Sequence, residues 1–240
     1  MNLREAVRAL CAYVLPRRPL VFGGHPAITP LVRAMADRVS YDAGQSGFKP
    51  EILLFLSSHF KSRFPANVAQ FKDTELIPAV LPDGGETKPD EGDRAMSLAL
   101  MRYCMIGKPD PKPLIPQLAE YGRRLGAERQ SRFGTTEFAA GVFIGGMEGV
   151  EREFNIFRYF HPKTPAWPIA STGAACIKLL DSMDFRMPLR HMLLKDEIPY
   201  TRLFEELRGD MRSTSMPPPR KFTRADHLDP PGLDSAHLSA

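Results

Sequence analysis

A chain of 240 residues, 43% hydrophobic and 25% charged, has room for one sizeable α/β core and the composition of an ordinary soluble globular protein. Its 32 basic and 28 acidic residues leave a net charge of +4 with no massed basic face, so nucleic acid is not an expected partner. Three distant cysteines (Cys11, Cys104, Cys176) and six scattered histidines argue against a disulfide framework and a metal cluster, and fit a reducing cytoplasm.

The first predicted element is a helix with Leu3, Ala6, Val7, Leu10, Cys11 and Val14 on one face. Its apolar centre, Ala9 to Leu15, is far shorter than the roughly 18–20 residues of a membrane helix. Pro16-Arg17-Arg18 follows without a small-residue cleavage site, so neither an anchor nor a signal peptide is expected. A strand, Pro19 to Phe22, then runs into Gly23-Gly24-His25-Pro26. Thr29 stands at an N-cap position with Pro30 at the first helical position, ahead of an apolar face of Leu31, Val32, Met35 and Ala36. His25 has two readings here, as a donor to a phosphate or ribose or as a cap on its own turn.

Ile52 to Leu56 is a continuous apolar run suited to a parallel strand covered on both faces, ending in Ser57-Ser58-His59. Glu75 to Leu81 gives a weaker strand, placed at an edge by Pro78. Pro82 to Asp93 reads as a surface loop, and Arg94 to Ile106 as a helix ended by Gly107 and Pro109. Arg102 lies on that helix's otherwise apolar stripe, so it either snorkels to water or faces an anion. A basic helix around Leu114 to Ala127 follows, with Arg123, Arg124, Arg129 and Arg132 nearby.

The stretch from Val142 to Phe160 organises the chain. A short strand (Val142, Phe143, Ile144) ends in Gly145-Gly146-Met147-Glu148-Gly149, and a helix follows with Val150, Phe154 and Phe157 on one face. Strand, glycine turn and helix bring bare backbone N–H groups to an anion, or serve only as a tight turn. A third such unit runs from the strand Ala166–Ala170 through Ser171, Thr172 and Gly173 to a helix bearing Ala174, Ala175, Ile177 and Leu180. There the hydroxyls either cap the helix or reach a phosphate. A short helix is predicted over Tyr200 to Leu207. From Asp210 on, five prolines and one aromatic predict a disordered tail.

Alternating strands and helices predict a Rossmann-like, doubly wound α/β fold with a mainly parallel sheet. The domain is expected over 1–209, with the tail over 210–240. No GxGxxG, GxxxxGK[ST] or GxSxG motif is present, which argues against a dinucleotide dehydrogenase, a P-loop NTPase and a serine hydrolase.

GGMEGVERE resembles a one-residue-expanded form of the PGGxGTxxE motif of the LOG proteins, once labelled lysine decarboxylase-like. LVFGGHPAITPLV resembles their earlier strand–GG turn, and LMRYCM their helix bearing RKxxM. In that order, over roughly Leu3 to Leu180, the three look like the wider SLOG superfamily, which also includes the DprA proteins. The resemblance implies a Rossmann-like domain and a nucleotide or nucleotide-derived ligand. It implies a cradle at Gly145, Gly146 and Gly149, with Glu153 and Arg102 in the places of the hydrolase's glutamate and arginine, and a homodimer. Gly23, Gly24, His25, Thr29, Met147, Glu148, Val150, Ser171, Thr172 and Gly173 complete the expected ligand-binding set. No cofactor is expected.

The motif also departs from the family. Glu148 is inserted in the glycine turn, Val150 replaces a threonine, Tyr103 replaces a basic residue, and the family's first strand has no counterpart before the first helix. Three readings follow: a nucleotide-ligand sensor or effector of the kind found in bacterial conflict systems, a nucleoside 5′-monophosphate phosphoribohydrolase, or an interaction protein with a decayed site.

Overall fold

Hydrophobic periodicity along the chain becomes seven α-helices and five strands among the residues that the computed structural model describes, 2–43, 50–57, 74–77, 91–107, 137–183, 188–196 and 199–209. In order they are α1 (Asn2–Val14), β1 (Leu20–Gly23), α2 (Thr29–Asp42), β2 (Ile52–Ser57), β3 (Thr74–Ile77) and α3 (Glu91–Ile106). The order continues with β4 (Gly141–Ile144), α4 (Glu148–Phe160), β5 (Ala166–Ile169), a 3₁₀ turn (Ala170–Thr172), α5 (Ala175–Asp181), α6 (Pro188–Asp196) and α7 (Tyr200–Leu207). The basic helix expected around Leu114–Ala127 and the tail from Asp210 lie outside the described residues.

All strand pairs are parallel. They form one sheet in the order β1-β2-β3 and a second in the order β4-β5. β3 occupies the edge expected of it and ends at Ile77, just ahead of Pro78, which has no N–H to give a ladder. β2 is buried along its whole length, and its side chains divide by alternation. Ile52, Leu54 and Leu56 pack with Val7, Cys11 and Leu15 of the α1 segment and Leu31 and Val32 of α2. Leu53 and Phe55 pack with Met101, Cys104 and Met105 of α3 and Phe154 and Phe157 of α4. Helices therefore cover both faces of β2, which is why it lacks the polar–apolar alternation of a half-exposed strand.

The two sheets share these layers. Phe143 of β4 joins the α3–α4 cluster, whereas Ile144 packs against the α1–α2 cluster and against a third cluster formed by α1, α6, α7 and β5. The fold is α/β with parallel pairing, in two short sheets; among the described residues no strand pairing links them.

Three local expectations shift. α3 starts at Glu91 and absorbs the end of the predicted loop. Thr29 falls inside α2 rather than capping it: Ile28 is the N-cap, and the Thr29 hydroxyl accepts the His25 N–H at 3.0 Å. On α5 the buried stripe is Ala175, Cys176, Leu179 and Leu180, leaving Ile177 49% exposed. The helix begins one residue later than expected because Ala174 takes φ 54° as its N-cap, and positions 176, 179 and 180 share the inward face.

Candidate functional site

β4 ends in two consecutive residues with positive φ, Gly145 at 58° and Gly146 at 81°. Each is glycine for a steric reason as well. A Cβ on Gly145 would meet Leu3 Cδ1 of α1 at 2.6 Å, and one on Gly146 would run into the Val150 side chain. The turn delivers the chain into α4, whose N-cap, Met147, has extended backbone and no side-chain cap. The N–H groups of Gly146, Met147, Glu148 and Gly149 donate no hydrogen bond among the described residues. They make up the uncapped, electropositive end of a 13-residue helix, the arrangement that suits an anion.

Glu148 is not lodged inside the turn. It is the first residue of α4, with its side chain 69% exposed, and it pairs with Arg152 one turn on. Its charge is partly neutralised and faces water, so it opposes a bound phosphate less than the insertion implies.

Arg102 and Glu153, 51 residues apart, meet across α3 and α4. Arg102 Nε donates to Glu153 Oε1 at 3.2 Å, with side chains 11% and 25% exposed. Burial raises the Glu153 carboxyl above the ordinary carboxylate range, and the charge and hydrogen bond of Arg102 pull it back down. The guanidinium also lies against α4's first turn, where a Cβ at position 149 would sit 2.7 Å from Arg102 Nη2. Gly149 is thus a close-approach glycine that lets a cation reach the helix start.

The first glycine turn behaves differently. Gly24 N–H goes to Phe55 O at 2.8 Å, and Ala27 N–H to His25 Nδ1 at 3.2 Å. The Ile28 and Thr29 N–H groups both go to His25 O. Of the two readings of His25, the turn cap is the one seen. Neither Gly23 nor Gly24 has positive φ; Gly23 faces Met101 Cε, which a Cβ there would meet at 3.3 Å. Consecutive residues of α3 therefore serve the two turns, Met101 packing on Gly23 and Arg102 on Gly149.

The third turn joins the site as support. Thr172 Oγ1 accepts Gly145 N–H at 2.7 Å and donates to Ile169 O at 2.5 Å. Ala175 N–H donates to Gly146 O at 3.1 Å, and the single S–H of Cys176 is shared between Phe143 O and Gly145 O, each 3.2 Å from Sγ. Burial pushes the Cys176 thiol up to about 11. Ser171 O accepts from Asn2 Nδ2, and Gly173 holds φ 84° beside open space. Cys176 is a site-supporting residue that sequence reasoning missed; its small-residue neighbourhood, STGAAC, was the available signal. Ser57, at the end of β2, is buried against Ser97 at 2.5 Å, and Tyr103 is core, packed edge-on to Phe160.

A family model for the SLOG cluster3 family matches residues 1–115 and 119–207, nearly all of the chain ahead of the tail. The chain belongs to the SLOG cluster3 family. Searches of curated proteins and of solved structures each returned no match. SLOG membership suggests a nucleotide-related function, with which the glycine turn, helix start and arginine assembled at α4 are consistent. No helix of the SLOG cluster3 chain, among the described residues, is long and apolar enough to cross a membrane.

Proposed function

We propose that this protein binds a nucleotide or nucleotide-derived ligand through its phosphate at the β4–α4 turn, as a SLOG-type sensor or effector in bacterial defence. The observation that carries the reading is the run of four undonated N–H groups, Gly146 to Gly149, with the Arg102 guanidinium against Gly149. Backbone donors and a helix start bind a phosphate in any nucleotide, while an enclosed arginine adds charge. The reading takes β3-β2-β1 and β4-β5 as two halves of one doubly wound sheet, and residues 1–209 as a single domain. The ligand then sits at the carboxyl ends of the strands. We place it in the cytoplasm as a homodimer, a state that light scattering measures directly. Calorimetry against nucleoside monophosphates, ADP-ribose and cyclic ADP-ribose isomers tests the ligand; silence across the panel rejects it.

A phosphoribohydrolase is the second reading, favoured by the Arg102–Glu153 pair at 3.2 Å. A carboxylate held beside a phosphate-binding arginine can stabilise an oxocarbenium-like centre or orient water. The hydrolase releases free base from AMP, which chromatography detects. Release that survives Glu153→Ala rejects that role for Glu153.

A further inference from the structure

We propose that Thr172 is a positioning residue for the ligand's phosphate, acting through Gly145 rather than by touching the ligand. The assignment rests on the nucleotide reading above and extends it to a residue of the neighbouring strand–helix unit. A threonine hydroxyl carries one hydrogen, and here that hydrogen is committed to Ile169 O at 2.5 Å. Donation in that direction leaves a lone pair facing Gly145 N–H, which it accepts at 2.7 Å. To bind a phosphate as a donor, Thr172 would have to give up its hydroxyl bond to Ile169 O.

The two glycine carbonyls of the turn are held from the same side. Cys176 shares its one S–H between Gly145 O and Phe143 O, and Ala175 N–H donates to Gly146 O. With Gly145 N–H, Gly145 O and Gly146 O all bound to the β5–α5 unit, the peptide planes around Gly145 and Gly146 have fixed orientations. Those planes set the direction of the Gly146 N–H, the first of the four undonated amides. Thr172 is the pin whose loss frees an N–H that points inward, and a turn with that N–H unpaired rotates to satisfy it. β-Branching restricts χ1, so the hydroxyl is held in place before any ligand arrives.

The test uses the full-length protein with AMP and ADP-ribose as probes, and isosteric Thr172→Val beside Thr172→Ser. Calorimetry reads affinity, and NMR-detected hydrogen exchange reads the Gly145 amide. In Thr172→Val the Gly145 amide exchanges at least about tenfold faster and nucleotide affinity falls about tenfold, the factor that 1.4 kcal/mol produces. Thr172→Ser restores both to within about threefold of wild type, since it keeps the hydroxyl and loses only stiffness. A residue serving only global stability would shift melting without changing affinity in the folded protein. Should Thr172→Val not fold, Thr172→Ala takes its place with the same expectations. Unchanged Gly145 exchange, or unchanged affinity in the Val or Ala variant, overturns the assignment while leaving the nucleotide reading intact. If wild type is silent toward both probes, the binder found in the wider nucleotide panel replaces them; silence across that panel fails the nucleotide reading itself, and the assignment falls with it.

Discussion

Replacing Arg102 by methionine removes one member of an enclosed ion pair while nearly conserving volume. The Glu153 carboxylate is then left with no cation among the described residues, though a quarter of its side-chain surface still meets water. Breaking a fully buried pair from one side costs roughly 3–5 kcal/mol; the partial exposure of Glu153 puts this case at the low end, about 3 kcal/mol. For a chain of this size that is a melting-temperature loss of about 6–12 °C. The loss carries a pH signature with a definite sign. Burial already holds the Glu153 carboxyl above the ordinary range, and removing Arg102 removes the influence that lowers it. The folded state of the variant then binds more protons than the unfolded state between the ordinary carboxylate value and the raised one. Its stability is greatest at or below the unfolded value and falls as pH rises through that window. Urea unfolding of Arg102→Met and wild type at pH 7 and pH 5 measures this, and the deficit shrinks on acidification. Adding Glu153→Gln to Arg102→Met recovers much of the deficit, because no charge is stranded. A deficit below about 1 kcal/mol at pH 7, or one that grows on acidification, refutes the picture of an enclosed carboxyl whose charge Arg102 stabilises against burial.

Gly149→Ala places a methyl group 2.7 Å from Arg102 Nη2. Stability changes by less than about 1 kcal/mol, since alanine's better helix propensity offsets the displaced guanidinium, while AMP affinity measured by calorimetry falls. Glu148→Gln removes an exposed charge that is paired only with Arg152. Stability stays within about 0.5 kcal/mol and AMP affinity rises by about twofold at most, since an exposed charge acts on the site through water. Arg158 is buried at 6% exposure, burial lowers its guanidinium pKa, and its Nη1 has no hydrogen-bond partner among the described residues. Arg158→Met accordingly stabilises the fold by about 1–3 kcal/mol in urea titrations, and a loss of stability points to an anionic partner for that side chain.

Much of the scaffold was legible because local signals and tertiary packing agree in it. PLVF and ILLFL are apolar runs that end in turn residues, and both became strands of one parallel sheet. VFIGGMEGVEREF announced its turn through glycines that the backbone needs on conformational grounds alone. The pairing of Arg102 with Glu153 was readable only through the family resemblance, since 51 residues separate them; within its own helix the sequence marked only that Arg102 interrupts an apolar stripe. The role of Thr29 was not readable, and for His25 and Thr172 the sequence left a capping and a ligand reading side by side. Each hydroxyl or ring looked available for a ligand, and a sequence does not show that a backbone group nearby has already taken it. Glu148 looked intrusive for a similar reason: its distance from the turn depends on where α4 begins, and helix starts are the least determinate feature of a sequence pattern.

The adjacency of Met101 and Arg102 on α3 bears on which length changes this chain can accommodate. One side chain rests on Gly23 and the other on Gly149, so α3 works as a two-toothed key cut to a single angular setting. Inserting or deleting one residue within α3 ahead of Met101 turns both teeth together by about 100° about the helix axis, relative to the residues before the change. Both contacts and the bond to Glu153 would be lost together, although no residue of either turn had changed. Length variation among related chains is therefore expected to collect outside α3. Where it does enter the helix, it should come in whole turns of three or four residues, which nearly restore the angle.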